Sequence, residues 1–245
     1  MTQPSPARAV AALMPCHIEP PALELLFHVR AHVDEVLLVD DGMPEIEAAE
    51  LDRVALGIGV GVLHLPHRGK GHAVAAGLAS LEQTGGAAAV VLVDSDGQHP
   101  PDAIPRFLES SRHADLVIGD RFSRGAAGPP LRRLANRVAN FVIGKTTGFD
   151  VPDSQCGMRL LTRRALLEVR FEGGRFEAET VHLRRCLRAG VPVAWIPIPA
   201  IYGRSPSAFR PIRDSIAVLA ACLGRQASHA PRGRAWRRRP RATRA

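Results

Sequence analysis

Residues 90–96, Val-Val-Leu-Val-Asp-Ser-Asp, constrain the fold of this chain more than any other stretch. A β-branched apolar run without polar alternation suits a strand covered on both faces, as in a parallel sheet flanked by helices. The run stops at two carboxylates one residue apart, Asp94 and Asp96, followed by Gly97-Gln98-His99-Pro100-Pro101. Such acids fall at the carboxyl edge of their strand, where open α/β sheets bind ligands. A pair of this kind suits a hard divalent cation held together with phosphate oxygens. Asp and Gly are also ordinary turn residues, so the motif alone describes an acidic turn equally well.

The chain before and after this run repeats the same grammar. Residues 9–14 read as a buried first strand, closed by Pro15-Cys16-His17-Ile18-Glu19-Pro20. Pro21 starts a helix continued by Leu23, Leu26, Phe27 and Arg30. A second strand, 35–39, ends in Asp40-Asp41-Gly42, so acids again stand at a strand end. A helix over 46–54, a strand over 60–65 and an Ala-rich helix over 73–81 follow. That last helix is preceded by Pro66-His67-Arg68-Gly69-Lys70-Gly71-His72, and exposed N–H groups with a lysine at a helix start favour an anion. The spacing is not that of a P-loop, since His64 stands where the first glycine is required. A helix over 102–110 and a strand over 116–118 complete at least four strand–helix alternations, which implies a mostly parallel sheet with helices on both faces.

The second half reads less regularly. Residues 119–125 and the Gly/Pro sequence beyond them suggest a mobile loop, and 131–143 a helix with a basic side carrying Arg132, Arg133 and Arg137. Asp150 and Asp153 precede Cys156-Gly157-Met158-Arg159-Leu160, and Thr162 caps a helix over 163–169. Glu177 and Glu179 stand ahead of a helix through Leu187, residues 193–198 form a late strand, and a last helix opens near Ser207. The organisation expected is a flexible N-terminus at 1–8, one α/β domain at 9–224 and a disordered Arg-rich tail at 225–245.

Composition narrows the partners. The formal net charge of +8 favours an anionic partner, while 4% aromatic residues argue against serial base stacking. From Arg225 onward there are many arginines and no acid, so part of the excess sits in the tail. The four cysteines, Cys16, Cys156, Cys186 and Cys222, have neither a disulfide-framework spacing nor one that fits zinc ligation, which suits a reduced, cytoplasmic setting. No signal-peptide core follows Met1, and the apolar run 216–223 is too short to span a bilayer.

Taken in order, these motifs resemble the inverting family-2 glycosyltransferases of the GT-A (nucleotide-diphospho-sugar transferase) fold. The branch they resemble most contains dolichol-phosphate mannosyltransferase and bacterial polyprenyl-phosphate relatives. The resemblance runs over roughly 9–215 and rests on Val-Asp-Asp-Gly at 39–42, Gly-Lys-Gly at 69–71, the Asp94–Pro101 motif, Gly-x-Arg at 119–121, Asp-x-Gln-Cys-Gly-x-Arg-Leu at 153–160, and Glu177 with Glu179. It implies that Asp94, Asp96 and Gln98 bind Mg²⁺ or Mn²⁺ bridging a nucleotide-sugar diphosphate. It further implies donor contacts from Pro15, Glu19, Asp40, Asp41, Lys70 and Ser95. Arg121, Arg132, Arg133 and Arg204, with Glu177 and Glu179, match positions on the acceptor and phosphate side, and Asp153 matches an acid beside the reacting centre.

The implied reaction moves a sugar from a nucleotide-sugar such as GDP-mannose or a UDP-sugar to an acceptor, a polyprenyl phosphate or a hydroxyl, with Asp153, Asp96 and Arg121 at the chemistry. If the acceptor is a hydroxyl, Asp153 or Glu177 must serve as base. Departures from the family pattern are Ile18 in place of Asn, and Met43-Pro44 in place of Ser and an acid. No membrane-spanning helices follow Ile216, so membrane contact is expected to be peripheral, at an anionic inner face, with the tail contributing. Two rivals are a nucleotidyltransferase, whose glycine-rich loop is missing after the first strand, and a basic nucleic-acid-binding protein, which acids at several strand ends disfavour.

Overall fold

The computed structural model describes residues 9–123, 130–172, 174–175 and 177–201. In chain order these form β1 (Val10–Cys16), α1 (Leu23–Arg30), β2 (Glu35–Asp41), α2 (Glu45–Ile58), β3 (Gly61–Leu65), α3 (Lys70–Gln83) and β4 (Ala89–Leu92). A 3₁₀ turn at Pro101–Ala103 runs into α4 (Ile104–Ser110), followed by β5 (Leu116–Asp120), α5 (Pro130–Thr147), β6 (Arg159–Thr162), α6 (Arg163–Glu168), α7 (Glu177–Ala189) and β7 (Val193–Pro197). The expected N-terminal segment 1–8, the 124–129 loop, Arg204, the last helix near Ser207 and the 225–245 tail lie outside the described residues.

The strands make one seven-stranded sheet in the order β3-β2-β1-β4-β6-β5-β7. All pairings are parallel except those of β6, which runs antiparallel to both β4 and β5. Strand order reverses between β1 and β4, which opens a crevice at their carboxyl ends. The mostly parallel sheet flanked by helices is therefore as the alternation implied. β6 is an addition to that reading: residues 159–162 carried a motif but no strand expectation.

The reversal of β6 decides where the site lies. Because β6 is antiparallel, its N-terminal end sits at the carboxyl edge of its neighbours. Residues 153–158, which lead into β6, thus join the ends of β1, β2, β4 and β5 along one edge. Asp40 and Asp41 are the last residues of β2, and Asp94 follows β4 by two positions.

Packing follows from the apolar runs. Every residue of β4 and β5 is buried, as a strand covered on both faces requires. One continuous core runs from Ala11–Met14 through Val90–Val93 to Leu116–Ile118 and Trp195–Ile198. Thr162 caps α6 by accepting a hydrogen bond from the Ala165 amide at 3.3 Å. Helix α3 packs on β1 and β2, and α4 on β5, β6 and β7.

The first turn of α3 also meets the start of α7, and Gly71 permits that approach. A Cβ at this position would lie 2.5 Å from Ala178 Cβ and 2.6 Å from the Gly174 carbonyl oxygen. Backbone cannot yield there as a flexible side chain would. Replacing Gly71 with Ala is expected to destabilise the protein by about 1–3 kcal/mol through overpacking, in spite of alanine's better helix propensity. Denaturant unfolding of Gly71→Ala against wild type measures this, and an unchanged midpoint would refute the close packing.

Candidate active site

Lys70 organises the edge. Gly69, with φ +104°, forms the N-cap of α3, so Lys70 is the helix's first residue and reaches across the crevice. Its ammonium lies 2.6 Å from Asp94 Oδ1 and 2.7 Å from Glu179 Oε1. Glu179 is itself buried in the first turn of α7. Glu177 and Glu179 thus belong to the helix that they were expected to precede. Three elements remote in sequence meet at one cation.

Electrostatics follow from that geometry. Burial alone would favour neutral Lys70, but the two carboxylates outweigh it and hold its pKa above the ordinary range. Burial would likewise raise Asp94, yet the Lys70 ammonium, helped by His99, lowers it to about 2. His99 is buried, and burial lowers its pKa, so the ring is neutral at pH 7. Its Nδ1 accepts the Asp94 amide at 3.1 Å, which leaves the proton on Nε2, 3.7 Å from Asp94 Oδ2. His99 therefore shapes the turn and fixes the aspartate.

A second cluster lies at the end of β5. Asp153, fully buried, receives Arg121 Nε on Oδ2 at 2.7 Å and Arg121 Nη2 on Oδ1 at 2.9 Å. The Gln155 amide adds a bond to Oδ1 at 3.2 Å and the Arg121 amide one to Oδ2 at 3.3 Å. Arg121 remains charged, since Asp153 overcomes the cost of burial and holds its pKa above the ordinary range. Asn140, from α5, fastens the Asp153 segment by donating to the Pro152 carbonyl at 2.6 Å and accepting the Ser154 amide at 2.9 Å. The described part of Arg133, also in α5, includes a buried Nε with no hydrogen-bond partner among the described residues.

The β2 acids serve their own loops. Asp40 Oδ1 accepts the Met43 amide at 2.7 Å, and Oδ2 meets His64 Nδ1 at 2.8 Å. Asp41 Oδ1 accepts the Arg68 amide at 2.8 Å, and Oδ2 accepts the Gly69 amide at 2.9 Å. Asp41 thereby clamps the turn that presents Lys70. Pro15 lies within β1, beside Val39 of β2, while Ile18 and Glu19 are exposed in the turn that follows. Ser95 is half-buried between Asp94 and Asp96, and the buried Cys16 thiol donates to the Met14 carbonyl at 3.4 Å.

Two donor sets for a cation stand along the edge. The set expected from sequence keeps Asp94 ionised, with Asp96 exposed and its Oδ1 accepting the Gln98 amide at 2.9 Å. Gly157 leaves a cradle over it: a Cβ there would lie 2.6 Å from Asp94 Oδ2 and 2.9 Å from Lys70 Nζ. Oxygen donors beside such a cradle fit a hard divalent ion. The other set is His17, Asp41 and His67, whose ligand atoms lie within 4.8 Å of one another.

Sequence reasoning missed Arg159 as a site residue. It is fully buried and donates to the carbonyls of Cys156 at 2.8 Å, Glu179 at 2.7 Å and Ser154 at 2.8 Å. It ties the Asp153–Gly157 segment to the helix bearing Glu179. An arginine inside the apolar run Met158-Arg159-Leu160-Leu161 was the available signal.

Acids gathered at the carboxyl edge of a mostly parallel sheet with one reversed strand define the GT-A class of nucleotide-diphospho-sugar transferase folds. The chain belongs to glycosyl transferase family 2, whose sequence pattern matches residues 11–170. It is 33% identical over 177 residues to an undecaprenyl-phosphate 4-deoxy-4-formamido-L-arabinose transferase of Sodalis glossinidius, covering 68% of this chain and 52% of that one. A transferase of the same description from Pseudomonas fluorescens is 31% identical over 172 residues, covering 66% and 49%. The chain thus spans about half the length of these relatives. Among solved structures, glucosyl-3-phosphoglycerate synthase from Mycobacterium tuberculosis, in complex with Mn²⁺, UDP and glucosyl-3-phosphoglycerate, superposes with a TM-score of 0.68. Identity there is 20%, over 88% of this chain and 79% of that one, so the likeness is one of fold.

Lys70→Met leaves two largely buried carboxylates without their shared counter-charge. Since Asp94 keeps 24% of its side chain exposed, the expected loss lies near the low end of the usual range, about 3 kcal/mol. Adding Glu179→Gln should return part of it. Thermal unfolding of the single and double variants tests the coupling, and equal stability of Lys70→Met and wild type would contradict it.

Proposed function

We propose that this protein is a metal-dependent inverting glycosyltransferase that moves a sugar from a nucleotide-sugar donor to a polyprenyl-phosphate-type acceptor. The observation that carries the reading is the guanidinium of Arg121, locked by Asp153 at the same sheet edge as Asp94 and Lys70. It joins a fixed cationic group for phosphate to an acidic, cation-suited pocket. Asp94, Asp96 and Gln98 would hold Mg²⁺ or Mn²⁺, which supplies Lewis-acid stabilisation of the departing diphosphate.

The chain's own residues do the rest. Lys70 keeps a permanent positive charge beside the donor diphosphate, while Pro15, Glu19 and Ser95 border the crevice where the nucleoside lies. Asp153 positions Arg121, whose remaining N–H groups face anionic oxygens in a preorganised setting. Arg133, with its buried and unpartnered Nε, extends that cationic side along α5, the Arg132 side chain lying outside the described residues, and Glu177 borders the acceptor. A lipid phosphate arrives largely ionised, its second pKa near ~6, so no strong base is required. The binding of both Asp153 oxygens by Arg121 and amides supports this acceptor over a hydroxyl. GDP- and UDP-sugars are the donor candidates.

Helix α5 suits a membrane-borne acceptor. No helix among the described residues is long and apolar enough to cross a membrane. Yet α5 turns Leu134, Val138 and Phe141 to solvent, with Phe149 just beyond its end. Lys145 stands over the Phe141 ring at 5.5 Å, Arg137 is exposed nearby, and the helix contains no acid. An apolar stripe edged by cations suits an anionic bilayer surface. The buried free thiols of Cys16, Cys156 and Cys186 suit the reducing, cytoplasmic face of that membrane.

Asp96→Ala, exposed and so expected to fold normally by circular dichroism, should abolish Mg²⁺- or Mn²⁺-dependent release of nucleoside diphosphate in the presence of undecaprenyl phosphate. Full activity would refute the cation assignment. Leu134→Ser with Phe141→Ser should weaken binding to phosphatidylglycerol vesicles roughly tenfold or more, since each buried side chain contributes about 1.5–3 kcal/mol. Co-sedimentation measures this, and unchanged binding would remove α5 from the membrane contact.

A further inference from the structure

We propose that His17, His67 and Asp41 form a second metal site, selective for zinc and similar borderline transition metals, at the carboxyl ends of β1, β2 and β3. It is separate from the oxygen-donor set at Asp94 and Asp96, and it does not depend on which donor the enzyme uses.

The geometry points to it in three ways. First, two imidazoles converge on one place. His17 Nδ1 lies 3.0 Å and His67 Nδ1 3.1 Å from the same Asp41 carbonyl oxygen. His67 Nδ1 is also 3.1 Å from Asp41 Oδ2. Ligands on a tetrahedral zinc, with bonds of about 2.0–2.2 Å, stand roughly 3.3 Å apart. The three nitrogen–oxygen separations approach that spacing, while the His17, Asp41 and His67 donor atoms span up to 4.8 Å, so the side chains close in for two imidazole nitrogens, one carboxylate oxygen and one carbonyl oxygen to share an ion.

Second, the surroundings hold the donors in place. Asp41 is buried, and amides of Arg68 and Gly69 orient its carboxylate. The rings of His17 and His67 stack with centroids 4.2 Å apart and planes within 15°, so one ring turns about its Cβ–Cγ bond to bring both in-plane lone pairs onto one ion. Gly42, with φ +74°, makes room for His67: a Cβ there would lie 2.5 Å from the His67 amide nitrogen. The amide bonds to Asp41 are supporting contacts that orient a ligand before the metal arrives.

Third, the donor types select the metal. Imidazole suits Zn, Cu, Fe and Ni, whereas Mg²⁺ prefers oxygen donors and retains its water. The cysteine spacing pointed away from zinc; two histidines 50 positions apart supply the ligands instead. A bound ion would pin the turn after β1 to the loop that presents Lys70, so it would rigidify the entrance to the crevice.

Isothermal titration of the untagged full chain with ZnCl₂ alone, and separately with MgCl₂, tests the proposal. We expect one Zn²⁺ per chain, with binding weakened at least tenfold in His17→Ala and in His67→Ala, and unchanged in His113→Ala, which alters an exposed histidine elsewhere. Co²⁺ should give the intense visible bands of four-coordination in wild type and lose them in His17→Ala/His67→Ala. Zinc uptake that survives in that double variant would overturn the site, as would Mg²⁺ binding there as tightly as Zn²⁺. The alternative, two neutral imidazoles donating Nδ1–H to a single carbonyl, gives no zinc heat beyond that of the double variant. Circular dichroism of each variant excludes unfolding as the cause. Asp96→Ala should keep its zinc site, so loss of transfer in that variant and loss of zinc in the histidine variants report on different metals.

Discussion

A single ammonium placed between two carboxylates sets the charge state of the crevice. With Lys70 2.6 Å from Asp94 and 2.7 Å from Glu179, Asp94 stays ionised and Lys70 charged at neutral pH in a largely buried place. Without it, burial would favour the protonated form of Asp94, and the edge would lose some of its attraction for cations. The same lysine engages one Asp94 oxygen, so an arriving divalent ion and its phosphate must share the aspartate with it. The donor-free site thus holds a fixed cation among its acids, and an anionic ligand meets a charge that needs little rearrangement.

Backbone accounting explains why this ammonium is where it is. Asp41 takes the amides of the loop before α3, Gly69 turns the chain into the helix, and Gly71 lets the helix lie against the start of α7. On the other side, Arg159 spends three of its donors on carbonyls from two separate segments. The chemistry-bearing side chains thus rest on a lattice of loop-to-loop hydrogen bonds, and those bonds consume several of the polar residues at the edge.

That consumption marks the limit of what was legible from residues alone. The buried run at 90–93, the strand-end acids and the basic turn before α3 could all be read, because each is a local pattern with a local cause. The pairing of Lys70 with Glu179 could not, since 109 positions separate them and only the fold closes the distance. β6 escaped because it is four residues long and opens with an arginine. Asp40 and Asp41 looked like ligand contacts, yet turn chemistry claims much of their hydrogen-bonding capacity. In α5, the basic side could be read from the sequence, but not that the structure buries Asn136, Ala139 and Ile143 and turns Leu134, Val138 and Phe141 out.

The reversed strand has a further consequence. It divides the sheet into two wings, β3-β2-β1-β4 and β5-β7, each internally parallel and joined within the sheet, among the described residues, by the short ladders of β6. One wing bears the acidic pocket, and the other bears Arg121. The β6 seam opens with Arg159, whose bonds to the Cys156, Ser154 and Glu179 carbonyls hold the residues on either side of it in place. Asp94 and Arg121 follow strands two places apart in the sheet, so the span between the acidic pocket and the cationic group is set by two strand spacings, about 9–10 Å.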